Sequence, residues 1–440
     1  MVGRPEFKRV YLQPLIGNAM NFQTPKGMNR RHFMSHLAGA SALAASAHML
    51  TRTVEANAVQ MVKKQKAAIL LWMGGGPSSI DIWDLKPGSS NGGPFKPIAT
   101  NGDMQISEHM PLMAQNMDKM SLVRSMSTRE ADHTRGRYYM HTGFTPNLNI
   151  THPSYGSVVA HELGAQRPDL EIPAFVSVGG GSAGPGFLGM AYAPFRVDSN
   201  GRVNNLDMGI PVDRMNQRTL ALQMMEEKFI KQNRGAAALE HAKVIDKTLS
   251  LMTSQQMQAF KVNSENEKVK ERYGTNSFGR GCLLARRLVE AGVPFVEVNL
   301  GGWDNHQNIF DTLQNQKLPQ LDQGMSALIE DLTARGMLDS TAIIWMGEFG
   351  RTPRINGNTG RDHWARSWSV AVGGAGMKPG IAVGKTNEDG TKVEGSSYTS
   401  QDLMATVCKS LDIDLTKQFM SGNGRPMKIA NGGKIIKELI

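Results

Sequence analysis

The run Ala67-Ala-Ile-Leu-Leu-Trp-Met73, closed by Gly74-Gly-Gly-Pro77, decides how this chain is read. Its residues are apolar without alternation, so both faces of the segment need cover, as in a parallel strand held between two helical layers. The glycines and the proline then impose a tight turn at its carboxyl end. Comparable runs recur at Ser121–Ser125, Ala174–Val178, Pro294–Leu300, Thr341–Met346 and Ser367–Val372. Helical patterns lie between them: Thr219 to about Met257, Phe278–Ala291, Leu313–Arg335 and Ser400–Leu411. In the third, Leu318, Leu321, Met325, Leu328 and Leu332 share one face. This alternation predicts an α/β fold: a mostly parallel central sheet with helices on both faces. Residues 180–213 are rich in Gly, Pro and Asn and read as a surface excursion, and 214–273 as a helical insertion, so the departure from the sheet spans about 180–273. Residues 376–399 read as a Gly-rich hairpin near the C-terminal edge.

The composition, 40% hydrophobic and 20% charged over 440 residues, is that of a globular protein. The formal net charge is +10. Seven basic residues against two acidic ones within residues 1–58 place half of that charge at the amino end. What remains holds no dense Lys/Arg run with interleaved aromatics, which argues against a nucleic-acid groove and leaves a modest attraction for anions. The two cysteines, Cys282 and Cys408, are too few for a zinc finger or an iron–sulfur site. Both sit in apolar helical stretches and read as buried free thiols.

The amino end has the order of a twin-arginine export signal: Arg30-Arg31 before Phe33, a weakly apolar Ala-rich stretch, then small-residue motifs at Ala45-Ser46-Ala47 and Ala56-Asn57-Ala58. The division expected is a leader over 1–58 and one α/β domain over 59–440, with Met28 an alternative start. No segment approaches the roughly 20 apolar residues of a stable membrane span. The leader implies passage through the Tat translocase to a periplasmic or secreted location.

Ligands of open α/β sheets gather at the carboxyl ends of the strands. There this chain places Ser78, Ser79, Asp81 and Asp84, then Asp132-His133, then Asp304 and His306, then Glu348 with Arg351 and Arg354, and Asp362-His363 before the last long strand. Singly, each has an ordinary structural reading as a turn residue, a cap or a packed aromatic corner. Together they make a mixed carboxylate and imidazole set suited to Zn²⁺, Mn²⁺ or Fe, because clustered acids repel one another unless a cation neutralises them.

The stretches GGGPSSIDIWDLKP (74–87), HTRGRYYMHTG (133–143), GGWDNHQNIFDTL (301–313) and GEFGRTPRINGNTGRDHW (347–364), with the leader, resemble the DUF1501 proteins, exported bacterial proteins abundant in planctomycetes. The resemblance runs from about residue 65 to 435. That family looks like a remote branch of the alkaline phosphatase/sulfatase superfamily, whose members hold one or two divalent metals at strand ends. The resemblance implies an alkaline phosphatase-like fold and a metal set of Asp81, Asp304, His306, Glu348 and His363, the metal being Zn, Mn, Fe or Ca. Phe349 stands where the superfamily has a histidine, and Gly74-Gly75 where it has an acid directly after the first strand. His133 occupies the position of the nucleophilic Cys or Ser, with Arg137 and Thr142-Gly143 following.

Two functions are open on these residues. One is metal-assisted hydrolysis of a phosphate or sulfate ester, with His133 reacting or transferring a proton and Arg137 and Arg351 clamping an anionic small-molecule or glycan ester. The other is a non-catalytic, metal-stabilised binding or structural protein of the cell envelope.

Overall fold

Ala67–Met73 is buried along its whole length because the strand it forms is covered twice. The computed structural model describes residues 65–203, 209–231, 245, 248–252 and 254–440. The expected leader, and much of the helix expected over 219–257, lie outside them. The strands of the main sheet are β1 (Ala67–Gly74), β2 (Met120–Met126), β3 (Phe175–Val178), β4 (Phe195–Val197), β5 (Phe295–Gly301), β6 (Thr341–Met346), β7 (Trp368–Gly373) and β8 (Ala382–Val383). They lie in the order β8-β2-β7-β6-β1-β5-β3-β4. β1 pairs in parallel with β5 on one side and β6 on the other, Leu71 standing beside Val298 and Trp345.

Only β7 runs against the rest, antiparallel to both β2 and β6. Its amino end, Trp368 beside Met126, therefore lies on the edge where the other strands end. Residues that precede β7 in the chain thus join loops that follow β1, β2, β5 and β6.

Alternate residues of β1 enter two separate cores, as the period of two requires. Ile69, Leu71 and Met73 pack with α4 (Ser277–Glu290) and α5 (Leu318–Ala334). Ala68, Leu70 and Trp72 pack with α1 (His133–Thr142), α2 (Tyr155–Gly164) and α6 (Ser400–Ser410). Helices on both faces and a mostly parallel sheet agree with the sequence reading.

The expected excursion over 180–213 differs in one respect, since Phe195–Val197 forms the edge strand of the main sheet. Three residues are too few to carry a period, so only pairing with β3 reveals them. The remainder includes α3 (Val212–Lys231) and short helical turns at Gln255–Phe260 and Val262–Ser264. Within 376–399, Lys385–Thr386 and Val393–Glu394 pair as the expected hairpin. Cys282 and Cys408 are buried and free, and burial pushes both thiols up in pKa. Among the described residues no helix is long and apolar enough to cross a membrane.

Under the carboxyl edge, fully buried Trp345 meets Trp83 edge-on at 5.2 Å and Trp303 at 6.4 Å. Truncating Trp345→Ala opens a cavity beneath the loop that carries Asp304. Equilibrium urea unfolding is expected to show a loss of about 3–5 kcal/mol, with Trp345→Phe losing markedly less.

Candidate metal centre

Asp304 stands three residues beyond β5, at the centre of the carboxyl edge. Its loop sits tightly against the turn after β1. Gly75 has φ +117°, and a Cβ there would lie 2.5 Å from the Asp304 amide nitrogen, so glycine is needed both for the backbone and for the approach. The buried Arg351 guanidinium ties the two loops together. It donates to the carbonyls of Gly75 and Gly76 and to Asp304 Oδ1.

Three imidazoles converge on the Asp304 carboxylate. His306 Nε2 lies 3.0 Å and His363 Nε2 3.3 Å from Oδ1, while His133 Nε2 lies 3.2 Å from Oδ2. Each ring is anchored through its other nitrogen. Nδ1 of His133 faces Glu348 Oε1 at 2.7 Å, that of His306 faces Asp362 Oδ1 at 2.7 Å, and that of His363 faces the Ala131 carbonyl at 2.8 Å. Acceptors thus face both nitrogens of each ring. A ring that gives its one proton to the Nδ1 acceptor leaves its Nε2 lone pair for a metal ion held jointly with Asp304; without such an ion the ring satisfies both acceptors only when doubly protonated. Such outer-layer anchoring is the usual support of histidines that bind metal.

The local fold explains why these residues meet. Asp132 caps α1 by accepting from the Arg135 amide at 3.0 Å, which puts His133 at the first helical position, over the sheet edge. Arg351 and His363 are register partners in a two-stranded ribbon, Gly350–Arg351 with His363–Trp364. His306 lies against that ribbon's loop: a Cβ on Gly360 would come 2.1 Å from its backbone.

Electrostatics favour a cation here. Partial burial of Asp304 opposes ionisation, but hydrogen bonding and attraction from Arg351, then from His133, outweigh it and hold the pKa at about 2. The Glu348 hydrogen bond is the main influence raising the His133 pKa, ahead of burial, which lowers it. Asp304, Glu348 and Asp362 oppose the single guanidinium of Arg351, leaving negative charge for a dication to balance. The Nε2 atoms of His306 and His363 are only 3.2 Å apart, a repulsive approach of lone pairs unless a proton or a metal lies between them. His133 Nε2 and Glu348 Oε2 are buried without a hydrogen-bond partner. Among the described residues His133, Asp304 and His363 present ligand atoms within 4.8 Å of one another, and this nitrogen-rich set fits Zn²⁺, Mn²⁺ or Fe better than Ca²⁺.

Of the residues singled out from sequence, His133, Asp304, His306 and His363 come together here. Glu348 stands behind His133, its Oε1 accepting from the Gly75 amide as well as facing the ring. Arg351 faces Asp304 and backbone carbonyls rather than open space, so its donors hold the carboxylate. Arg137 lies one turn beyond His133, its guanidinium over the Trp72 ring and bonded to the Gly181 carbonyl. Asp81 is not brought to the cluster. Fully buried, it makes a bidentate pair with buried Arg361 at 2.7 and 2.8 Å, which pins the ribbon's loop to the turn after β1. Asp362 and the Ala131 carbonyl orient two of the histidines; Asp362 stands among the strand-end acids of the sequence but outside the metal set that the resemblance implies. Asp362 was visible in the Arg-Asp-His motif, but a backbone carbonyl leaves no mark in a sequence.

The chain belongs to the family described as "Protein of unknown function (DUF1501)", whose model matches residues 65–440. No curated protein matches it. Solved structures similar to it include alkaline phosphatase from the Antarctic bacterium TAB5, at 13% identity and TM-score 0.34, covering 79% of this chain and 99% of that one. The lipoteichoic acid synthase LtaP from Listeria monocytogenes matches at 9% identity and TM-score 0.35, covering 80% and 73%. The PsFucS1 sulfatase from Pseudoalteromonas sp. matches at 11% and 0.35, covering 82% and 72%.

The geometry generates a metal-binding prediction. Elemental analysis of the purified protein is expected to find close to stoichiometric transition metal, lost in Asp304→Ala/His363→Ala. Asp362→Asn, which replaces the carboxylate anchoring His306, should keep the site but weaken affinity by about 10–100-fold. Equal affinity in that variant would mean that Asp362 does not orient His306 for a ligand.

Proposed function

For this member of the DUF1501 family we propose metal-dependent hydrolysis of phosphate or sulfate esters of anionic small molecules or glycans, outside the cytoplasm. The observation that carries the reading is the convergence of three Nδ1-anchored imidazoles on one ionised carboxylate at the carboxyl edge of the sheet. Asp304, His306 and His363 would hold the metal, since both of these histidines face the same carboxylate oxygen. A metal bound there would supply Lewis-acid stabilisation of charge on the ester oxygens.

His133 faces the other oxygen, Oδ2. Its Nδ1–H bond to Glu348 fixes the ring so that Nε2 takes a proton from the attacking water or returns one to the leaving oxygen. Arg351 keeps Asp304 ionised and in place. Arg137, on the same helix as His133, is the cation available to anionic substrate groups if it leaves the Gly181 carbonyl. The Arg30-Arg31 leader supports export through the Tat translocase to the periplasm or beyond, a route that delivers proteins already folded.

Fluorogenic phosphate and sulfate monoesters test the reading. His133→Ala is expected to lower turnover by about 10²–10⁴-fold while metal content is retained, whereas His363→Ala loses metal and activity together. A metal-loaded wild type that turns over neither ester class would leave the binding-protein reading in its place. Export is tested separately: Arg30→Lys/Arg31→Lys should retain the protein in the cytoplasmic fraction, and undiminished export would remove the Tat assignment.

A further inference from the structure

The far end of α1 opens into a cleft of about 400 Å³ between the loop after that helix and the segment Arg425–Lys428. The ionisable side chains lining it are Arg425, Lys428 and His152, with no carboxylate among them. Neither Arg425 nor Lys428 forms an ion pair among the described residues, so both charges are free for a ligand.

The floor is built rather than incidental. His152 is only 5% exposed, and its ring stacks on Phe144 at 3.9 Å with the planes 6° apart. Tyr138 Oη accepts from the His152 backbone amide at 2.8 Å and lies 2.9 Å from His152 Nδ1. A hydroxyl that accepts the amide has its own proton to give to Nδ1, which leaves the ring N–H on Nε2 as a donor beside the two cations. The partly exposed Phe144 adds an apolar face, and Thr145 and Asn147 add hydroxyl and carboxamide groups.

We propose that this cleft is a second binding site, separate from the Asp304 cluster, for anionic units of an oligosaccharide. Arg425, Lys428 and the His152 N–H suit a sulfate, phosphate or carboxylate group. Phe144 suits the C–H face of a sugar ring, and Thr145 and Asn147 suit its hydroxyls. A nucleic-acid strand would call for a row of stacking aromatics along a basic groove, whereas this cleft offers one aromatic platform and two cations.

Its position relates it to the metal centre. α1 carries His133 at its first position and ends at Thr142, about 14 Å away at 1.5 Å per residue, two residues before Phe144. The loop after β3 joins the same rim, the Gly184 carbonyl accepting from the Ser154 amide and that of Gly181 from Arg137. An anionic chain of a few sugars could therefore span from the cleft to His133. The assignment concerns binding and does not depend on hydrolysis taking place.

Titration calorimetry on the full chain tests it, with sulfated maltotetraose, unsulfated maltotetraose and a ten-nucleotide oligothymidylate as probes. The sulfated sugar is expected to bind, and the unsulfated one at least about tenfold more weakly. Arg425→Ala/Lys428→Ala should lower affinity for the sulfated sugar by at least roughly tenfold, with an unchanged melting temperature. Phe144→Leu should weaken it as well, and Asp304→Ala should still bind it. Unchanged binding in the double variant, loss only in Asp304→Ala, or tighter binding of the oligothymidylate would each overturn the proposal.

Discussion

One ion pair organises the carboxyl edge of this sheet: Arg351 against Asp304. The guanidinium is buried and the carboxylate half-exposed, so the charge taken out of water is the cation. Burial lowers the Arg351 pKa, and Asp304, hydrogen-bonded to it, is the strongest influence resisting that shift. The same side chain donates to the turn after β1 and to the Arg361 carbonyl in the ribbon's loop. Three loops from separate parts of the chain are thereby held on one charge. Asp304 has one oxygen shared with Arg351 and two imidazoles, and the other facing His133. The pair sets where the carboxylate lies, and the histidines arrange themselves around it.

A second buried pair, Asp81 with Arg361, performs the mechanical part of the work. Both side chains are fully buried, and Arg361 also donates to the carbonyls of Asn91, Thr352 and Pro353. A pair of this kind contributes little net stability against an apolar equivalent, but losing one partner leaves a buried charge uncompensated. Its role here is positional: it fixes the loop that presents Asp362 to His306. The two ion pairs divide the acids of the edge between structure and chemistry, a division that residue type alone does not indicate.

The reversed strand β7 explains another feature of the centre. In an all-parallel sheet, His363 would precede a strand and so lie at the edge opposite Asp304. Running antiparallel between β2 and β6, β7 returns the preceding residues to the carboxyl edge, and the Gly350–Arg351/His363–Trp364 ribbon completes the turn. Phe349 packs against both His133 and His363, at 5.0 and 4.8 Å between ring centres, and gives the imidazoles an apolar backing.

The sequence by itself determined the layer architecture, because a continuous apolar strand between amphipathic helices is only stable when covered on both faces. It also determined that acids and histidines gather after β1, β2, β5 and β6, since strand ends are read directly from where apolar runs stop. His133, Asp304, His306 and His363 were legible on that basis. Residue type does not reveal a partner, however, so Asp81, Glu348 and Arg351 looked equivalent to ligands or clamps. Only the tertiary structure decided that Arg361 takes Asp81, that Glu348 stands behind His133, and that Arg351 serves Asp304. Those choices depend on distances between segments remote in sequence, and on the direction of one strand, which hydrophobic periodicity does not encode.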